Sequence, residues 1–431
     1  MKSIRVGMMG LGTVGGGVAS MLSENGVLID KKAGSRIVLE KILVRDINKA
    51  RKDVPLNIKN LLTGNPADIL ENPGIDIVVE VMGGTDEALE FVRTALRNKK
   101  HVVTANKDMM AAYGGDLFAE ADKSGSALLF EASVCAAIPV VDVLKHSLAG
   151  NRISRIMGIL NGTTNYILTK MSEEKSEYSQ ALKKAMDRGY AESNPVNDVM
   201  GYDAARKIAI LASIAFSMRV KYEDVFTEGI TGISLCDIDY AAELGYRIKL
   251  IADAKFSDKG VEARVNPLFI PTGHPLSNVD GVFNAVYIES DMAGETMLYG
   301  KGAGAKPTAS AVLGDIIALA RAINSGGTVF TGCTCFNEKM IVSPENAVSR
   351  FYIRMNVKDN PGVLSRIAGV LGDHDVSIYS VVQKKAQLQS AEIVIITHMV
   401  MEKNMLDSIT EIRGMDIVNE FGSLIRVEGE D

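Results

Sequence analysis

The sequence predicts an α/β protein with a doubly wound parallel sheet, followed by an α+β region and a small C-terminal module. Short apolar runs alternate with helical patterns over residues 4–130, which is the order of a parallel sheet with crossover helices. A glycine-rich turn joins the first apolar run to the first helix, and the strand and helix patterns begin again near residue 350. We therefore expect three domains, formed by residues 1–145 with 301–335, residues 146–300 and residues 350–431.

The composition is that of an ordinary globular protein. The 431 residues are 47% hydrophobic and 23% charged, and the chain is long enough for two or three domains with separate cores. The 47 Lys and Arg against 53 Asp and Glu give a net charge of −6, without a basic block that would bind a polyanion. Nucleic acid is therefore not an expected partner.

The apolar segments predict neither secretion nor insertion in a membrane. The first six residues enter an alternating strand pattern instead of an apolar signal core. The stretch Ser126–Val141 is interrupted by Glu131, and Lys207–Met218 is shorter than the about 18 residues that a spanning helix needs. We expect a cytoplasmic protein without membrane contact.

Four cysteines, at positions 135, 236, 333 and 335, are too few for a disulfide framework in so long a chain. Only Cys333 and Cys335 lie close in sequence, and no His or further Cys is near enough to complete a zinc site with them. We expect all four to be free, buried thiols.

The first strand, Ile4–Met9, ends in a GxGxxG turn that opens a helix. In this context the first glycine allows the tight turn, the second lets the backbone approach a pyrophosphate, and the third allows close packing of the helix. The pattern predicts a dinucleotide site at Gly10, Leu11, Gly12, Thr13, Val14 and Gly15.

The second strand, Val38–Val44, ends at Arg45-Asp46. An acidic residue at this tip favours the free ribose hydroxyls of NAD, whereas a nearby Arg favours the 2′-phosphate of NADP. The two residues therefore do not decide between NAD and NADP, although Arg45 favours NADP. The alternative is that Arg45 is only a solvated charge.

Further strands are predicted at Ile75–Met82, His101–Thr104 and Ala127–Phe130, with a helix at Thr85–Asn98. Ligands of a doubly wound sheet bind beyond the carboxyl ends of its strands. We therefore expect the loops that follow these strands to line the ligand site.

Several motifs occur together in one order: His101–Lys107, Glu131–Pro139, Gly158–Asn165, Gly201–Lys207, Gly300–Gly304 and Thr308–Asp315. With the glycine turn, they resemble the homoserine dehydrogenase family over roughly residues 1–340. The resemblance implies NAD(P)-dependent interconversion of L-homoserine and L-aspartate 4-semialdehyde in threonine and methionine biosynthesis. It also implies that residues 1–145 with 301–335 bind the dinucleotide and that residues 146–300 bind substrate and dimerise.

Reduction of an aldehyde needs a proton for the oxygen that develops negative charge. Lys207 is the candidate donor, and Asp203 precedes it by one turn of the predicted helix Asp203–Met218. In the family that this motif resembles, the Lys donates the proton and the Asp belongs to the substrate site. An exposed i,i+4 ion pair is the alternative.

The remaining polar groups are assigned through the resemblance. Lys107, at a strand tip, is a second cation for the substrate carboxylate or for the nicotinamide end of the cofactor. Glu192 resembles the family's substrate-binding Glu and would meet the substrate ammonium. Gly302 and Gly304 precede the predicted helix Thr308–Ala322, which would approach the cofactor, with a simple helix start as the alternative.

The segment 131–138 resembles the family's loop for Na⁺ or K⁺. By position, the ligands would be Glu131 and the carbonyl oxygens of Val134, Ala136 and Ile138, which suit a hard cation. The family usually has Gly-Gly where this chain has Ala136-Ala137. A positive φ there would strain an alanine by about 1 kcal/mol or more.

Residues 350–431 predict a ferredoxin-like β-α-β-β-α-β order and resemble an ACT domain. Such modules often bind amino acids at paired interfaces. The resemblance implies threonine as effector, near Asn360, Gly362 and Val363, and a homodimer or homotetramer. A module that only holds subunits together is the alternative.

Two other functions stay open on sequence alone. One is another amino-acid semialdehyde or hydroxy-acid dehydrogenase. The other is a catalytically silent amino-acid sensor that retains the dinucleotide fold. The presence of Lys107, Glu192, Asp203 and Lys207 argues against the silent sensor.

Overall fold

A computed structural model describes residues 2–49, 51, 56–327, 332–387 and 390–429. The chain divides into two compact units. Unit 1 comprises Met1–Ile156, Arg206–Asp224 and Asn284–Lys339, and unit 2 comprises Met157–Ala205, Val225–Phe283 and Met340–Asp431.

The secondary structure alternates between strands and helices along most of the chain. Residues 2–152 contain β1 (Ser3–Met9), α1 (Thr13–Ala33), β2 (Arg36–Leu43), β3 (Leu62–Thr63), α2 (Ala67–Leu70), β4 (Ile77–Glu80), α3 (Asp86–Arg97), β5 (His101–Thr104), α4 (Lys107–Ser124), β6 (Leu128–Leu129) and α5 (Val140–Asp142). Residues 153–282 contain β7 (Ile153–Ile159), α6 (Gly162–Glu174), α7 (Tyr178–Asp187), α8 (Val196–Val199), α9 (Tyr202–Ala215), β8 (Phe226–Thr227), α10 (Leu235–Glu243), β9 (Tyr246–Ser257) and β10 (Gly260–Pro271). The rest contains β11 (Phe283–Ser290), β12 (Gly294–Lys301), α11 (Ala305–Ser325), β13 (Val348–Lys358), α12 (Val363–Asp373), β14 (Ile378–Gln387), β15 (Ser390–Thr397), β16 (Val400–Met401), α13 (Glu402–Arg413) and β17 (Val418–Val427).

Unit 1 contains a parallel sheet in the order β3-β2-β1-β4-β5-β6. The order reverses between β1 and β4, which confirms the predicted doubly wound sheet. Met9 pairs with Glu80, and Glu80 pairs with Thr104, so these strands end at one level. The glycine turn, the loop after Glu80 and the N-terminus of α4 consequently begin at the same edge.

Apolar residues from the strands and from α1 and α11 form the core of unit 1. The two helices pack closely, because a Cβ added at Gly17 would lie 2.7 Å from the carbonyl oxygen of Ala305. Helix α11 begins at Ala305, three residues before the predicted start at Thr308. Pro307 is compatible with this start, since the first turn of a helix does not need the N–H that proline lacks.

The C-terminal part of unit 2 has the predicted β-α-β-β-α-β order, with its strands arranged β17-β13-β15-β14. A separate core of buried side chains lies among these strands, α12 and α13. The sheet continues into the long β9–β10 hairpin, because Leu268 and Phe269 of β10 pair in parallel with Arg426 and Val427 of β17. Hydrogen bonds therefore tie the C-terminal module to β10.

Over the described parts of the chain, no helix is both long enough and apolar enough to cross a membrane.

Candidate active site

The glycine turn of unit 1 has the geometry that a pyrophosphate requires. Gly10 has a φ of 103°, in the region that favours glycine, and a Cβ at Gly15 would lie 2.3 Å from the Gly10 carbonyl oxygen. Within the described residues, the space where a Cβ of Gly12 would lie is open apart from its chain neighbours, and no side chain caps α1. The turn therefore leaves open backbone at a helix N-terminus, which fits the phosphates of a dinucleotide. Leu11, Thr13 and Val14 complete this turn and the start of α1.

Arg45 lies just beyond the end of β2 with a side chain that is 87% exposed. Its Nη2 lies 3.5 Å from Oε2 of Glu87, which is also exposed. Such a pair contributes little to stability, because water screens both charges. The guanidinium is therefore accessible to an external phosphate.

Lys107 is the first residue of α4, directly after the strand-end network of β4 and β5. The Asn106 side chain caps α4 by accepting the Met109 amide at 3.1 Å, and it donates to the Gly84 carbonyl at 2.6 Å. The half-buried Lys107 therefore starts a helix that is joined to the neighbouring loop.

Glu80 was not singled out from the sequence, although it organises this edge. Its carboxylate accepts the Met82 amide at 2.8 Å and the Thr104 hydroxyl at 2.6 Å. Burial raises its pKa despite these hydrogen bonds. A carboxylate at the carboxyl end of the apolar run Ile75–Met82 was the available signal.

Lys207 lies on α9, and only 8% of its surface is exposed, so it is not the exposed ion-pair partner that the spacing also allowed. Its neighbour Arg206 donates from Nε to Asp108 at 2.9 Å, and Asp108 follows Lys107 in α4. One ion pair within unit 1 thus joins the two segments that carry the predicted lysines. Arg206 is further held over the Tyr222 ring, at 4.8 Å from its centroid.

Asp203 lies in the first turn of α9 and is also buried. Nδ2 of Asn161 donates to Asp203 at 2.9 Å and to Asp198 at 2.7 Å, while Oδ1 of Asn161 accepts the Thr164 amide and caps α6. Sequence reasoning placed Asn161 in a family motif without a role. In the structure it orients the Asp203 carboxylate.

Glu192 is exposed in the loop after α7. The loop is held against α6, because Thr163 donates to the Tyr190 carbonyl at 2.8 Å and the Tyr166 and Tyr190 rings meet at 5.0 Å between centroids. The glutamate is therefore presented by an anchored loop.

The second glycine loop precedes α11 in unit 1. A Cβ at Gly302 would lie 2.1 Å from the Asn284 side chain, and Gly304 has a φ of 117° as the N-cap residue of α11. Among the residues that the structure describes, no side chain caps this helix. The loop thus needs both glycines and exposes a helix N-terminus, as a phosphate or nicotinamide contact requires.

The proposed cation loop surrounds Glu131, a buried carboxylate. Its two oxygens accept the amides of Val141 and Asp142 at 2.9 and 2.7 Å, and burial raises its pKa to about 7. Ala136 has a φ of 46°, so this alanine adopts the conformation in which the family's glycine would be unstrained.

The ligands predicted for this loop fit a hard monovalent cation by chemical type. Glu131 supplies a carboxylate, and Val134, Ala136 and Ile138 supply backbone carbonyls from the same short segment. The Ile138 carbonyl also accepts the Val140 amide at 2.8 Å. A nearby positive charge would favour the ionised form of Glu131, which burial otherwise disfavours.

The predicted effector residues lie at the start of α12 in unit 2. Gly362 has a φ of 86° as the N-cap residue, and Val363 is the first residue of the helix. The Asn360 carbonyl accepts the Val363 amide at 3.4 Å. The turn between β13 and α12 therefore depends on a glycine and presents a helix N-terminus.

Cys333 corrects the expectation that all four thiols are buried. All four cysteines are free, but only Cys135 is buried, whereas Cys333 is exposed. Cys236 and Cys335 are intermediate in exposure.

Three family models match the chain: homoserine dehydrogenase over residues 139–317, its NAD-binding domain over 10–131, and the ACT domain over 351–414. The homoserine dehydrogenase of Bacillus subtilis strain 168 is 43% identical over 434 residues, covering 100% of this chain and 99% of the relative. A crystal structure of a homoserine dehydrogenase from Thiobacillus denitrificans has a TM-score of 0.92 and 39% identity, covering 99% of each chain. A hyperthermophilic archaeal homoserine dehydrogenase in complex with NADPH has a TM-score of 0.63 and 28% identity, covering 77% of this chain and 99% of that one. The chain therefore belongs to the homoserine dehydrogenases, NAD(P)-dependent oxidoreductases that interconvert L-homoserine and L-aspartate 4-semialdehyde.

Proposed function

We propose that Lys207 and Lys107 together carry the polar chemistry of this reaction. The Arg206–Asp108 ion pair supports the assignment, because it joins the two segments from which the lysines extend. When bound, the nicotinamide supplies the hydride that reduces the aldehyde carbon. Lys207 holds a proton at Nζ for the oxygen that becomes an alkoxide. Lys107 provides the second positive charge, at the substrate carboxylate or at the nicotinamide end of the cofactor.

The substrate ammonium needs a carboxylate partner, and Glu192 is the residue that we assign to it. Asp203 contributes a second carboxylate, which Asn161 holds through the hydrogen bond of 2.9 Å. Both groups are acceptors, so they select an amino-acid substrate over a hydroxy acid that lacks the ammonium.

Initial rates test this specificity directly. We expect the enzyme to oxidise L-homoserine, and to oxidise malate and lactate at least about a hundredfold more slowly, because neither offers an ammonium to Glu192 and Asp203. If a hydroxy acid were oxidised at a comparable rate, the substrate would be a hydroxy acid and the assignment of Glu192 and Asp203 to the ammonium would be wrong. Absence of turnover with intact NADPH binding would favour a silent sensor.

Arg45 is proposed to select NADP through the 2′-phosphate. The substitution Arg45→Ala is expected to raise KM for NADP⁺ about tenfold or more, through loss of one charge-assisted phosphate contact, and to leave KM for NAD⁺ unchanged. Arg97→Ala is the matched control, because Arg97 pairs with Glu120 on the outer surface, at 3.1 Å. Equal effects on both cofactors would remove Arg45 from the cofactor site.

A monovalent cation, Na⁺ or K⁺, is proposed at Glu131 and the carbonyls of Val134, Ala136 and Ile138. We expect KCl to raise the initial rate and the thermal midpoint relative to tetramethylammonium chloride at equal ionic strength. Glu131→Gln should abolish both differences, since it removes the charged ligand, whereas Glu120→Gln should retain them. A wild-type enzyme that responds identically to the two salts would exclude the cation.

The ACT domain is proposed to bind threonine at Asn360, Gly362 and Val363. The uncapped start of α12 supports this site, because helix N-terminal amides bind carboxylates. If the domain is a sensor, the enzyme should lose activity as the threonine concentration increases. If the domain only holds subunits together, threonine should not change the activity.

We also propose that the protein forms a homodimer or a homotetramer. Sedimentation measures the mass of the assembly and distinguishes the two.

A further inference from the structure

Cys333 and Cys335 lie on the segment that follows α11 in unit 1. This segment is anchored next to the C-terminal end of α9, since the Asn337 amide donates to the Ser217 carbonyl at 2.9 Å. Sγ of Cys335 lies 3.5 Å from the Ser213 carbonyl oxygen on the last turns of α9. The fold therefore holds the Cys335 sulfur, and the segment that carries both cysteines, against the end of α9.

Two cations flank the exposed sulfur of Cys333. Nη2 of Arg219 lies 3.1 Å from it. Nζ of Lys145 lies 3.4 Å from the Gly332 carbonyl oxygen, and the Phe118 ring is 4.8 Å from the same ammonium. The two nearby positive charges favour a thiolate and disfavour a metal cation at this pair.

The second cysteine reinforces the thiolate. The neighbouring Cys335, with Arg219 and Lys145, holds the pKa of the Cys333 thiol well below its ordinary value, although burial opposes this. The same interaction raises the pKa of Cys335. The two shifts favour a thiolate at Cys333 beside a protonated thiol at Cys335.

A small cavity of about 30 Å³ adjoins the pair. Its lining includes Cys333, Cys335, Lys145, Arg219, Phe118 and Phe130. This volume suffices for a molecule of the size of one or two waters. The cavity therefore fits a small polar oxidant beside the sulfurs.

We propose that Cys333 and Cys335 form a peroxide-reactive dithiol site, with Cys333 as the attacking sulfur and Cys335 as the resolving one. The Cys333 thiolate attacks one oxygen of hydrogen peroxide; a sulfur–oxygen bond forms, the oxygen–oxygen bond breaks, and hydroxide leaves and takes up a proton to become water. The Cys335 sulfur then attacks the sulfenic sulfur, loses its proton, and a second water leaves as the disulfide forms. Each dithiol loses two electrons and the peroxide gains them.

The disulfide would close a very short loop on an exposed segment. Disulfides of this kind are readily reduced by thiols, so the site would cycle between two redox states. It is separate from the residues that we assign to the dehydrogenase reaction.

Mass spectrometry of the full-length enzyme tests the site. After treatment with hydrogen peroxide at about pH 6, where only acidic thiols react, the peptide with both cysteines should lose two hydrogens and regain them with dithiothreitol. Cys335→Ser should stop at a sulfenic acid on Cys333, which dimedone traps. Cys333→Ser should leave Cys335 reduced.

Cys236 is the internal control, because burial raises the pKa of that thiol. We expect Cys333 to react at least about tenfold faster than Cys236, and Arg219→Gln to reduce this advantage while Arg219→Lys retains most of it. Equal rates at the two cysteines would overturn the proposal. So would disulfides that form only between chains on non-reducing electrophoresis, or an Arg219→Gln enzyme that reacts as fast as wild type.

Discussion

Lys207→Ala is expected to lower kcat by about two orders of magnitude or more while NADPH binding stays near normal. The substitution removes the proton donor from the developing alkoxide but leaves the glycine turn of α1 intact. Stopped-flow rates and a fluorescence titration with NADPH measure the two effects separately. Lys207→Arg should recover little, because a guanidinium does not release its proton.

Lys221→Ala is the matched control for this substitution. Lys221 is exposed and follows α9 in the same unit, so its loss should leave kcat within a factor of about two. A Lys207→Ala enzyme with nearly normal kcat would assign the acid elsewhere, to Lys107 or to water.

The largest loss of stability is expected from Asp237→Ala in unit 2. Asp237 has no exposed surface, and its carboxylate accepts Nε of Arg354 at 2.8 Å and the Ser423 hydroxyl at 2.8 Å. Removal of Asp237 leaves the largely buried Arg354 with the more distant carboxylate of Glu392, at 3.4 Å, and the loss of the closer buried partner costs about 3 kcal/mol. Urea unfolding of the variant and the wild type measures this difference.

Acid unfolding provides a second readout for Asp237. Burial opposes ionisation, but the hydrogen bonds from Arg354, Ser234 and Ser423 are stronger and lower its pKa. Because the folded-state pKa lies below the unfolded value, the stabilisation is present above that unfolded value, near 3.8, and is lost as the pH falls through the folded-state pKa. The Asp237→Ala variant should therefore lose less of its stability than the wild type as the pH falls through this range.

The exposed pair Arg366–Asp416 is the control for the buried one. Its atoms approach to 2.9 Å, but the two side chains are 52% and 72% exposed. Asp416→Ala should therefore leave the unfolding free energy nearly unchanged, because water screens both charges. Equal effects of the two aspartates would show that the buried network does not stabilise unit 2.

Local patterns predicted most elements of the sheet in unit 1. The bounds of β5, His101–Thr104, agree with the expectation, because a short apolar run between two polar turns leaves little freedom. Strand β9 was missed although apolar residues occupy every second position of Tyr246–Ser257, which is the pattern of a strand with one polar face. Lys249 is nevertheless buried, since Nζ lies 2.8 Å from Oδ1 of Asp280 and donates to the Val279 carbonyl at 2.6 Å.

The candidate active site also depends on contacts that the sequence pattern does not predict. Motifs identified Lys107 and Lys207, but the ion pair that joins their segments connects Asp108 to Arg206 across the chain. The environment of Cys333 also depends on distant residues, because Arg219 lies 114 positions away. Short spacing predicts helix faces and turns, whereas contacts of this range follow only from the packed fold.

A crystal structure of the enzyme with NADP⁺ and L-homoserine tests the central assignment most directly. We predict Nζ of Lys207 within about 3.2 Å of the substrate hydroxyl oxygen, with Nζ of Lys107 in hydrogen-bond contact with the substrate carboxylate or the nicotinamide end. Either ammonium group turned away from the bound dinucleotide would contradict the proposed chemistry.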